Sequence, residues 1–252
     1  MIRARLAEVQ LALMLLTRLP AGHLKDPAPT ISASAWAFPL AGLAVGMGAA
    51  LALWGAALIL PLEIAALIAL VVQITLTGAL HEDGLADLTD GLWGGHTVAR
   101  RLEIMRDSQI GSYGTLALIL SVALRWQALV FLAGQDLQAG VMALIVLAML
   151  SRVAPVALLA LLPPARVDGL GHSARAVPVS FVTIAALIAL CPGLLPAIPL
   201  LVLVVILAVQ GAVTLALAQL ARRRLGGQTG DVLGAGQQLA EIAGFLTLAA
   251  LI

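Results

Sequence analysis

Charged residues are scarce in this chain of 252 residues, where Asp, Glu, Lys and Arg together make up 11% of the sequence. A soluble domain carries roughly a quarter charged residues. Hydrophobic residues make up 62% of the chain, and its mean hydropathy is +1.07. One soluble core cannot bury that much apolar surface. The composition therefore excludes a soluble globular protein and predicts an all-α, polytopic helical membrane protein, with residues 1–252 forming a single integral-membrane domain.

Cysteine is nearly absent as well. The single Cys191 lies in an apolar run beside Pro192, so the chain has neither a disulfide framework nor zinc-finger spacing. A formal net charge of +1 gives no indication of a nucleic-acid partner. No soluble domain, internal repeat or low-complexity tail stands out. Any catalytic or binding chemistry must therefore come from the ends of helices and from loops.

Apolar segments of membrane-spanning or nearly membrane-spanning length recur seven times. The predicted spans are Trp36–Leu60, Glu63–Leu80, Tyr113–Ala133, Ala139–Leu162, Pro178–Leu190, Ala197–Leu220 and Asp231–Ile252. The fifth is short enough to be tilted, or to form a hairpin with the sixth through "CPGLLPAIP".

Residues 1–35 are predicted to form a cytoplasmic or interfacial segment. Arg3 and Arg5 precede "VQLALMLL", an order that is also found in signal peptides. The apolar run is short and is followed by Thr17 and Arg18. We therefore expect an uncleaved amphipathic or shallowly inserted helix.

Basic residues fall in alternate loops. The basic loops hold Arg3, Arg5, Arg18 and Lys25, then Arg100, Arg101 and Arg106, then Arg166 and Arg175, and finally Arg222, Arg223 and Arg224. The loops between these have no Lys or Arg. Because positive charge marks the cytoplasmic side, the N-terminus is predicted inside and the polar loops are predicted to share the cytoplasmic face.

Four of the 13 acidic residues gather in "HEDGLADLTDGL". Asp83, Asp87 and Asp90 are spaced i, i+4, i+7, which places them on one face of a helix. We expect the second span to continue as helix into this stretch. Like charges at this spacing repel each other, so the face is unfavourable unless a cation joins it.

Hard oxygen donors at this spacing suit Mg²⁺ or Mn²⁺, which bind few carboxylates and leave room for water and phosphate. The predicted metal ligands are Glu82, Asp83, Asp87 and Asp90, with Asp87 and Asp90 the strongest candidates. A solvated acidic helix end is the alternative. His81 is expected to support a ligand or contact phosphate rather than to bind the metal, because no other histidine has ligand spacing to it.

The stretch "RRRLGGQTGDVLGAGQQLAE" places glycines and arginines before the last apolar helix, an arrangement that favours anion binding at the helix N-terminus. Gly227, Gln228 and Thr229 are therefore candidate phosphate contacts. Asp231, Gln238 and Glu241 fall on one face of the following helix, and an ionisable Glu241 within an apolar helix is a candidate site residue. Asp231 as a simple helix-start residue is the alternative.

Two arginines, Arg125 and Arg152, lie inside predicted spans, where a charge usually faces a polar interior. Either could pair with a buried acid such as Glu241 or contact a phosphate. In "RRLEIMRDSQIGSYG", the residues Arg100, Arg101, Arg106 and Asp107 are candidate substrate contacts, and the alternative is a solvated loop. The stretch "RVDGLGH" is equally compatible with a structural turn and with a substrate contact.

Several motifs together resemble the cobalamin synthase family, the adenosylcobinamide-GDP ribazoletransferases. They are, in order along nearly the whole chain, "LTRLP", "FPLAGLAVG", "HEDGLADLTDGL", "RRLEIMRDSQIGSYG", "SR" at Ser151, "DGLG" from Asp168 and "GGQTGDVLGAGQQLAE". The acidic stretch and "GGQTGDVLGA" are the specific parts. That family more often has Leu where this chain has Glu82.

The resemblance implies a multi-pass enzyme of the cell inner membrane that requires Mg²⁺ and acts late in cobalamin assembly. It would join adenosylcobinamide-GDP to α-ribazole or its 5′-phosphate and release GMP. Metal ions on Asp83, Asp87 and Asp90 would clamp the phosphates, and Asp90 or Asp231 would take the hydroxyl proton. A homo-oligomer, or association with other cobalamin-assembly enzymes, is compatible with this role.

Two other functions are compatible with the same residues. A CDP-alcohol phosphotransferase-like enzyme also holds Mg²⁺ with helical aspartates, but "DGLADLTD" has Asp87 where that pattern expects Arg. A divalent-cation transporter would need ionisable residues at the membrane midplane and polar features on both faces. Arg125, Arg152 and Glu241 meet the first requirement in part, while the outer loops have almost no polar residues and so argue against the second.

Overall fold

The computed structural model describes residues 2–169, 173–174, 177–194 and 198–252. Arg175, His172, the last two residues of the "DGLG" motif and residues 195–197, the last of which begins the sixth predicted span, lie outside these ranges. Regular structure in the described part of the chain is helical. The α-helices are α1 (Ile2–Leu16), α2 (Ile31–Ser34), α3 (Phe38–Ala57), α4 (Leu62–Thr77), α5 (Leu80–Gly94), α6 (Val98–Ile104), α7 (Ser112–Gln135), α8 (Leu137–Ser151), α9 (Val153–Leu161), α10 (Val179–Leu190), α11 (Leu200–Leu225) and α12 (Gly230–Leu251).

An all-α membrane protein is confirmed, but the count of seven spans is not. Within the described residues, four helical stretches are long and apolar enough to cross a bilayer. They are Ile31–Ala57, Ser112–Gln135, Leu137–Leu161 and Leu200–Leu225. A fifth is obtained only if α4 and α5 are counted together as one bent span.

The remaining predicted spans differ for physical reasons. Helix α10 has 12 residues and reaches only about 18 Å, well short of the roughly 30 Å hydrocarbon core. Helix α12 has 22 residues but includes Asp231, Gln237, Gln238 and Glu241. It packs against α5, α7, α8, α9 and α11, so these polar groups face protein rather than lipid.

Helix α4 does not continue into the acidic stretch, so the prediction of one uninterrupted helix is wrong. The chain turns by 86° between α4 and α5. Gly78 and Ala79 both adopt left-handed backbone conformations, with φ of 64° and 59°. Their amides close the end of α4 by donating to the Thr75 and Ile74 carbonyls. This pair of residues turns α5 away from the axis of α4, and α5 belongs to none of the four stretches named above.

Small residues bring the central helices close together. Helix α3 packs along α4 and α8, and its Gly46 has no space for a side chain because a Cβ there would lie 2.8 Å from the Leu144 carbonyl oxygen. The main apolar cluster continues through Leu129 and Leu132 of α7 to Phe245 of α12.

Helix α1 packs on the start of α3 through Leu16 and Phe38. The cytoplasmic or interfacial placement of residues 1–35 stays a prediction.

Candidate active site

Two glycines set the distance between the helices that carry the candidate site. Gly84 of α5 lies against Gly234 of α12, and a Cβ on Gly84 would lie 3.0 Å from the Asp231 carbonyl oxygen and 3.2 Å from the Gly234 Cα. A side chain at either position would push the helices apart. The crossing therefore holds the acidic residues of α5 beside Asp231 at the start of α12.

Three carboxylates meet at this crossing. Asp83 is exposed, while Asp87 and Asp231 are partly buried. Burial, reinforced by the negative charges of Asp83, Asp231 and Asp90, raises the pKa of Asp87 to about 7. We call Asp83, Asp87 and Asp231 the acidic group. Their negative charges interact, and fewer cations than carboxylates lie beside them.

Asp231 is fixed by its neighbours at the N-terminus of α12. The Thr229 hydroxyl donates to Asp231 Oδ2 at 3.1 Å and accepts a hydrogen bond from the Val232 amide at 3.3 Å, so Thr229 is the N-cap of α12. Arg166 Nη1 lies 3.6 Å from Asp231 Oδ2. Burial raises the pKa of the Asp231 carboxyl, and Arg166 and the Thr229 hydroxyl oppose that change.

Asp90 lies on the same helix but already has partners. Its Oδ2 accepts a hydrogen bond from the Gly111 amide at 2.7 Å, and its Oδ1 accepts one from the Gly114 amide at 2.9 Å. Asp90 therefore caps the N-terminus of α7. Its predicted metal or base role would compete with these two hydrogen bonds.

Glu82 turns away from the acidic group into the protein interior. Its Oε1 accepts hydrogen bonds from Arg125 Nη2 at 3.2 Å and from Gln238 Nε2 at 3.1 Å. Only 6% of Glu82 and none of Arg125 is exposed. The structure thus does not bring Glu82 to Asp83 and Asp87, because adjacent residues of a helix point about 100° apart.

The predicted site residues Arg152, Gln238 and Glu241 lie with Glu82 in a second set of polar side chains. Glu241 accepts hydrogen bonds from Gln237 at 2.7 Å and from Gln73, and it lies 3.7 Å from Arg125 Nη1. We call Glu82, Arg125, Gln237, Gln238 and Glu241, with Gln73, Ser121, Ser151 and Arg152 around them, the interior network.

Of the two roles left open for the buried arginines, pairing with an acid is the one observed for Arg125. Arg152 donates from Nη1 to the Ala148 carbonyl at 2.6 Å. Both arginines are buried. The interior network joins α4, α5, α7, α8 and α12.

The predicted contacts of the loop after α5 are scattered. Arg100 forms an exposed pair with Glu103 at 2.8 Å. Arg101 is buried and donates to the Arg224 carbonyl at 3.3 Å. Arg106 pairs with Asp168 at 2.5 Å, and its charge reaches Asp231. The Asp107 carboxylate accepts a hydrogen bond from the Gln109 amide at 3.0 Å and so closes a local turn.

The glycine-rich turn before α12 holds a neighbouring loop. The Gln228 amide donates to the Pro163 carbonyl at 2.8 Å, and the Ala165 amide donates to the Gln228 carbonyl at 2.8 Å. Gly227 lies so close to the Pro163 carbonyl that a Cβ would collide with it. This pairing positions Arg166 beside Asp231. Sequence reasoning did not find that contact, because no local pattern indicates a bridge between residues so far apart in the chain.

An apolar cavity of about 230 Å³ opens beside the acidic group. Its walls come from six helices and include Leu16, Phe38, Pro155 and Leu159, together with Asp83 and Asp231. Sequence patterns did not predict it, because its lining residues look like ordinary core positions.

The acidic group fits a hard cation only in part. Among the described residues, no cluster of three or more His, Cys, Asp or Glu side chains is tight enough to hold a metal ion alone. Mg²⁺, however, is commonly bound by one or two carboxylates, with waters and substrate phosphates completing the shell.

Comparison with known proteins gives a consistent result. A family model described as cobalamin-5-phosphate synthase matches residues 8–249. A relative from Bradyrhizobium diazoefficiens, named adenosylcobinamide-GDP ribazoletransferase, is 45% identical over 99% of this chain and 95% of its own length. Relatives of the same name come from Azorhizobium caulinodans (45% identical; 94% of this chain, 93% of the relative) and Shewanella frigidimarina (40% identical; 84% and 82%). No solved structure matches the chain.

Proposed function

The chain belongs to the cobalamin-5-phosphate synthase family, and we propose that it joins adenosylcobinamide-GDP to α-ribazole or α-ribazole 5′-phosphate. A ribose hydroxyl of the acceptor attacks the phosphorus that carries the cobinamide arm. A new phosphate ester bond forms, the pyrophosphate bond breaks, GMP leaves, and the hydroxyl proton passes to a base. The family supports this transferase over a CDP-alcohol phosphotransferase-like enzyme or a divalent-cation transporter.

The observation that carries the proposal is the acidic group at the mouth of an apolar cavity. A pyrophosphate is anionic and repels both an approaching hydroxyl and the carboxylates themselves. Asp83 and Asp87 of α5 are the side chains that would hold Mg²⁺. Bound there, the ion would neutralise charge on the phosphates as the bond to GMP breaks.

Asp231 is the carboxylate best placed to take the hydroxyl proton. Burial raises its pKa, which makes it a stronger base than an exposed carboxylate. Thr229 and Arg166 hold its orientation. Asp90, the other predicted base, has one backbone amide on each oxygen.

Two arginines beside the acidic group would bind the phosphates. Arg166 lies 3.6 Å from Asp231, and Arg106 lies near enough for its charge to act on the same carboxyl. A guanidinium matches phosphate geometry through paired donors. Both arginines already lie beside carboxylates. A phosphate that binds would therefore replace the carboxylate as the anionic partner of each arginine.

We place the site on the cytoplasmic side of the inner membrane. The loops that contain Arg101, Arg166 and Arg224 contact one another or the acidic group, and positive charge favours the cytoplasmic side. In a Cys191→Ser background, a membrane-impermeant maleimide should label Asp136→Cys in intact cells and Arg223→Cys only after permeabilisation. The reverse pattern would invert the orientation.

The function is tested with the purified full chain in detergent. Adenosylcobinamide-GDP, α-ribazole 5′-phosphate and Mg²⁺ should give GMP and a product whose mass is the sum of the substrates less GMP. Asp87→Asn should lower GMP release by about 100-fold or more. Glu63→Gln, which alters an exposed acid on α4, should leave the rate unchanged. Near-normal turnover of Asp87→Asn would contradict the metal-binding role.

A further inference from the structure

We propose that the apolar cavity beside the acidic group binds the benzimidazole base of the acceptor nucleoside, an inference that rests on the transferase function proposed above. It assigns to α1, α3 and α9 a part in substrate selection. Those three helices lie outside both the acidic stretch and the glycine-rich turn.

Position is the first argument. The acceptor hydroxyl must reach the acidic group, and the base is joined to the same ribose by one glycosidic bond. The base must therefore lie within a few bonds of Asp83 and Asp231. Both of these residues stand in the wall of the cavity, so a nucleoside whose ribose lies at the mouth would place its base inside.

Polarity and size are the second argument. Leu16, Phe38, Pro155 and Leu159 supply an apolar lining, and the cavity holds about 230 Å³. A corrin ring is far larger than this space. Most of the wall is apolar, so guanine would bring polar atoms against Leu, Phe and Pro side chains, at a cost in binding. Benzimidazole is flat, apolar over both faces, and small enough to enter.

A buried histidine is the third argument. His81 contributes to the same wall and is 3% exposed, and its Nε2 has no hydrogen-bond partner in the described part of the chain. A buried polar nitrogen without a partner is unfavourable. The ring nitrogen of benzimidazole that is not joined to ribose is a hydrogen-bond acceptor. A small rotation of His81 would let Nε2–H donate to it.

The first test fills the cavity. Leu159→Trp should raise the KM for α-ribazole 5′-phosphate by roughly tenfold or more, since pocket volume governs apolar recognition, and should leave the KM for adenosylcobinamide-GDP unchanged. Leu161→Trp is the matched control, because Leu161 lies two residues along the same helix, is 41% exposed and does not line this cavity. A rise in the donor KM instead would assign the cavity to the donor nucleotide and overturn the proposal.

The second test enlarges the cavity and remains informative if the first variant folds poorly. Leu159→Ala should raise the ratio of kcat/KM for a naphthimidazole riboside phosphate to that for α-ribazole 5′-phosphate by about tenfold. The ratio is internal to the folded enzyme, so a loss of stability does not change it. An unchanged ratio would overturn the cavity assignment. If wild-type protein released no GMP with any acceptor, the proposed function itself would fail.

A third test isolates His81. An indole riboside phosphate lacks the free ring nitrogen, so the wild-type protein should use it about tenfold less well than the benzimidazole compound. His81→Phe should remove that preference. If His81→Phe still prefers the benzimidazole compound over the indole compound, the proposed hydrogen bond from His81 does not form.

Discussion

Glu82 and Asp83 are neighbours on one helix, yet they meet opposite surroundings. Glu82 is buried in the interior network and accepts hydrogen bonds from Arg125 and Gln238. Asp83 is exposed in the acidic group, where Asp87 and Asp231 add further negative charge. In the interior network two carboxylates face two arginines, so its formal charge is balanced. In the acidic group the carboxylates outnumber the cations.

The difference separates two uses of charge. Buried charges that balance one another hold α5, α7 and α12 in register, because removing one would leave another unpaired away from water. Carboxylates left in excess at a surface are unfavourable until a cation joins them. The interior network is therefore expected to govern assembly of the helices, and the acidic group is expected to govern catalysis.

The largest expected effect comes from breaking the interior network. Arg125→Met removes the guanidinium that contacts Glu82 and Glu241 and should cost about 3–5 kcal/mol of stability, measured as thermal unfolding in detergent. Arg100→Met removes an exposed pair instead and should cost less than about 1 kcal/mol. Equal losses of stability in the two variants would mean that the interior network contributes no more to stability than an exposed ion pair does.

The next effect tests the close crossing of α5 and α12, the two helices that carry the acidic group. Gly84→Ala places a Cβ 3.0 Å from the Asp231 carbonyl oxygen, so α5 and α12 must separate by a few tenths of an ångström. We expect roughly tenfold slower GMP release, since small misplacements of reacting groups are costly. Gly55→Ala has open space around it and should leave the rate unchanged. If Gly84→Ala keeps full activity, close crossing is not required.

A smaller effect is expected at Asp90, which lies in sequence with the acidic group but caps α7. Asp90→Asn retains one acceptor for the two amides of Gly111 and Gly114. It should cost about 1 kcal/mol of stability, with the Mg²⁺ concentration for half-maximal activity unchanged. A marked rise in that concentration with little change in unfolding temperature would return Asp90 to the metal ligands.

A further effect concerns pH. The pKa of Asp87 is raised to about 7 in the folded protein, so the folded state holds a proton that the unfolded chain releases at lower pH. Without Mg²⁺, stability should therefore fall as pH rises from about 4 to about 7 and level off above that. Asp87→Asn should flatten this part of the unfolding profile. An identical profile for both proteins would argue against crowding of charge at Asp87.

Sequence patterns predicted the fold class and the helices that matter, but not how the helices meet. The i, i+4, i+7 spacing correctly placed Asp83, Asp87 and Asp90 on α5. It could not indicate that Asp90 would cap a distant helix, because the amides of Gly111 and Gly114 come from another part of the chain. The bend at Ala79 was also missed, since alanine rarely adopts a left-handed conformation.

The buried arginines show the same limit. Their presence inside apolar segments indicated an interior role, whereas the choice between an acid and a phosphate depended on tertiary contacts. The partnership of Arg166 with Asp231 and the apolar cavity likewise depend on packing between segments far apart in sequence.

The most direct measurement compares Asp83 with its neighbour Glu82. GMP release is followed as Mg²⁺ is titrated into Asp83→Asn and Glu82→Gln. We predict that Asp83→Asn raises the half-maximal Mg²⁺ concentration by about tenfold or more. Glu82→Gln should lower the unfolding temperature and leave the Mg²⁺ requirement unchanged. A shifted Mg²⁺ requirement in Glu82→Gln, with none in Asp83→Asn, would contradict the division of roles between the acidic group and the interior network.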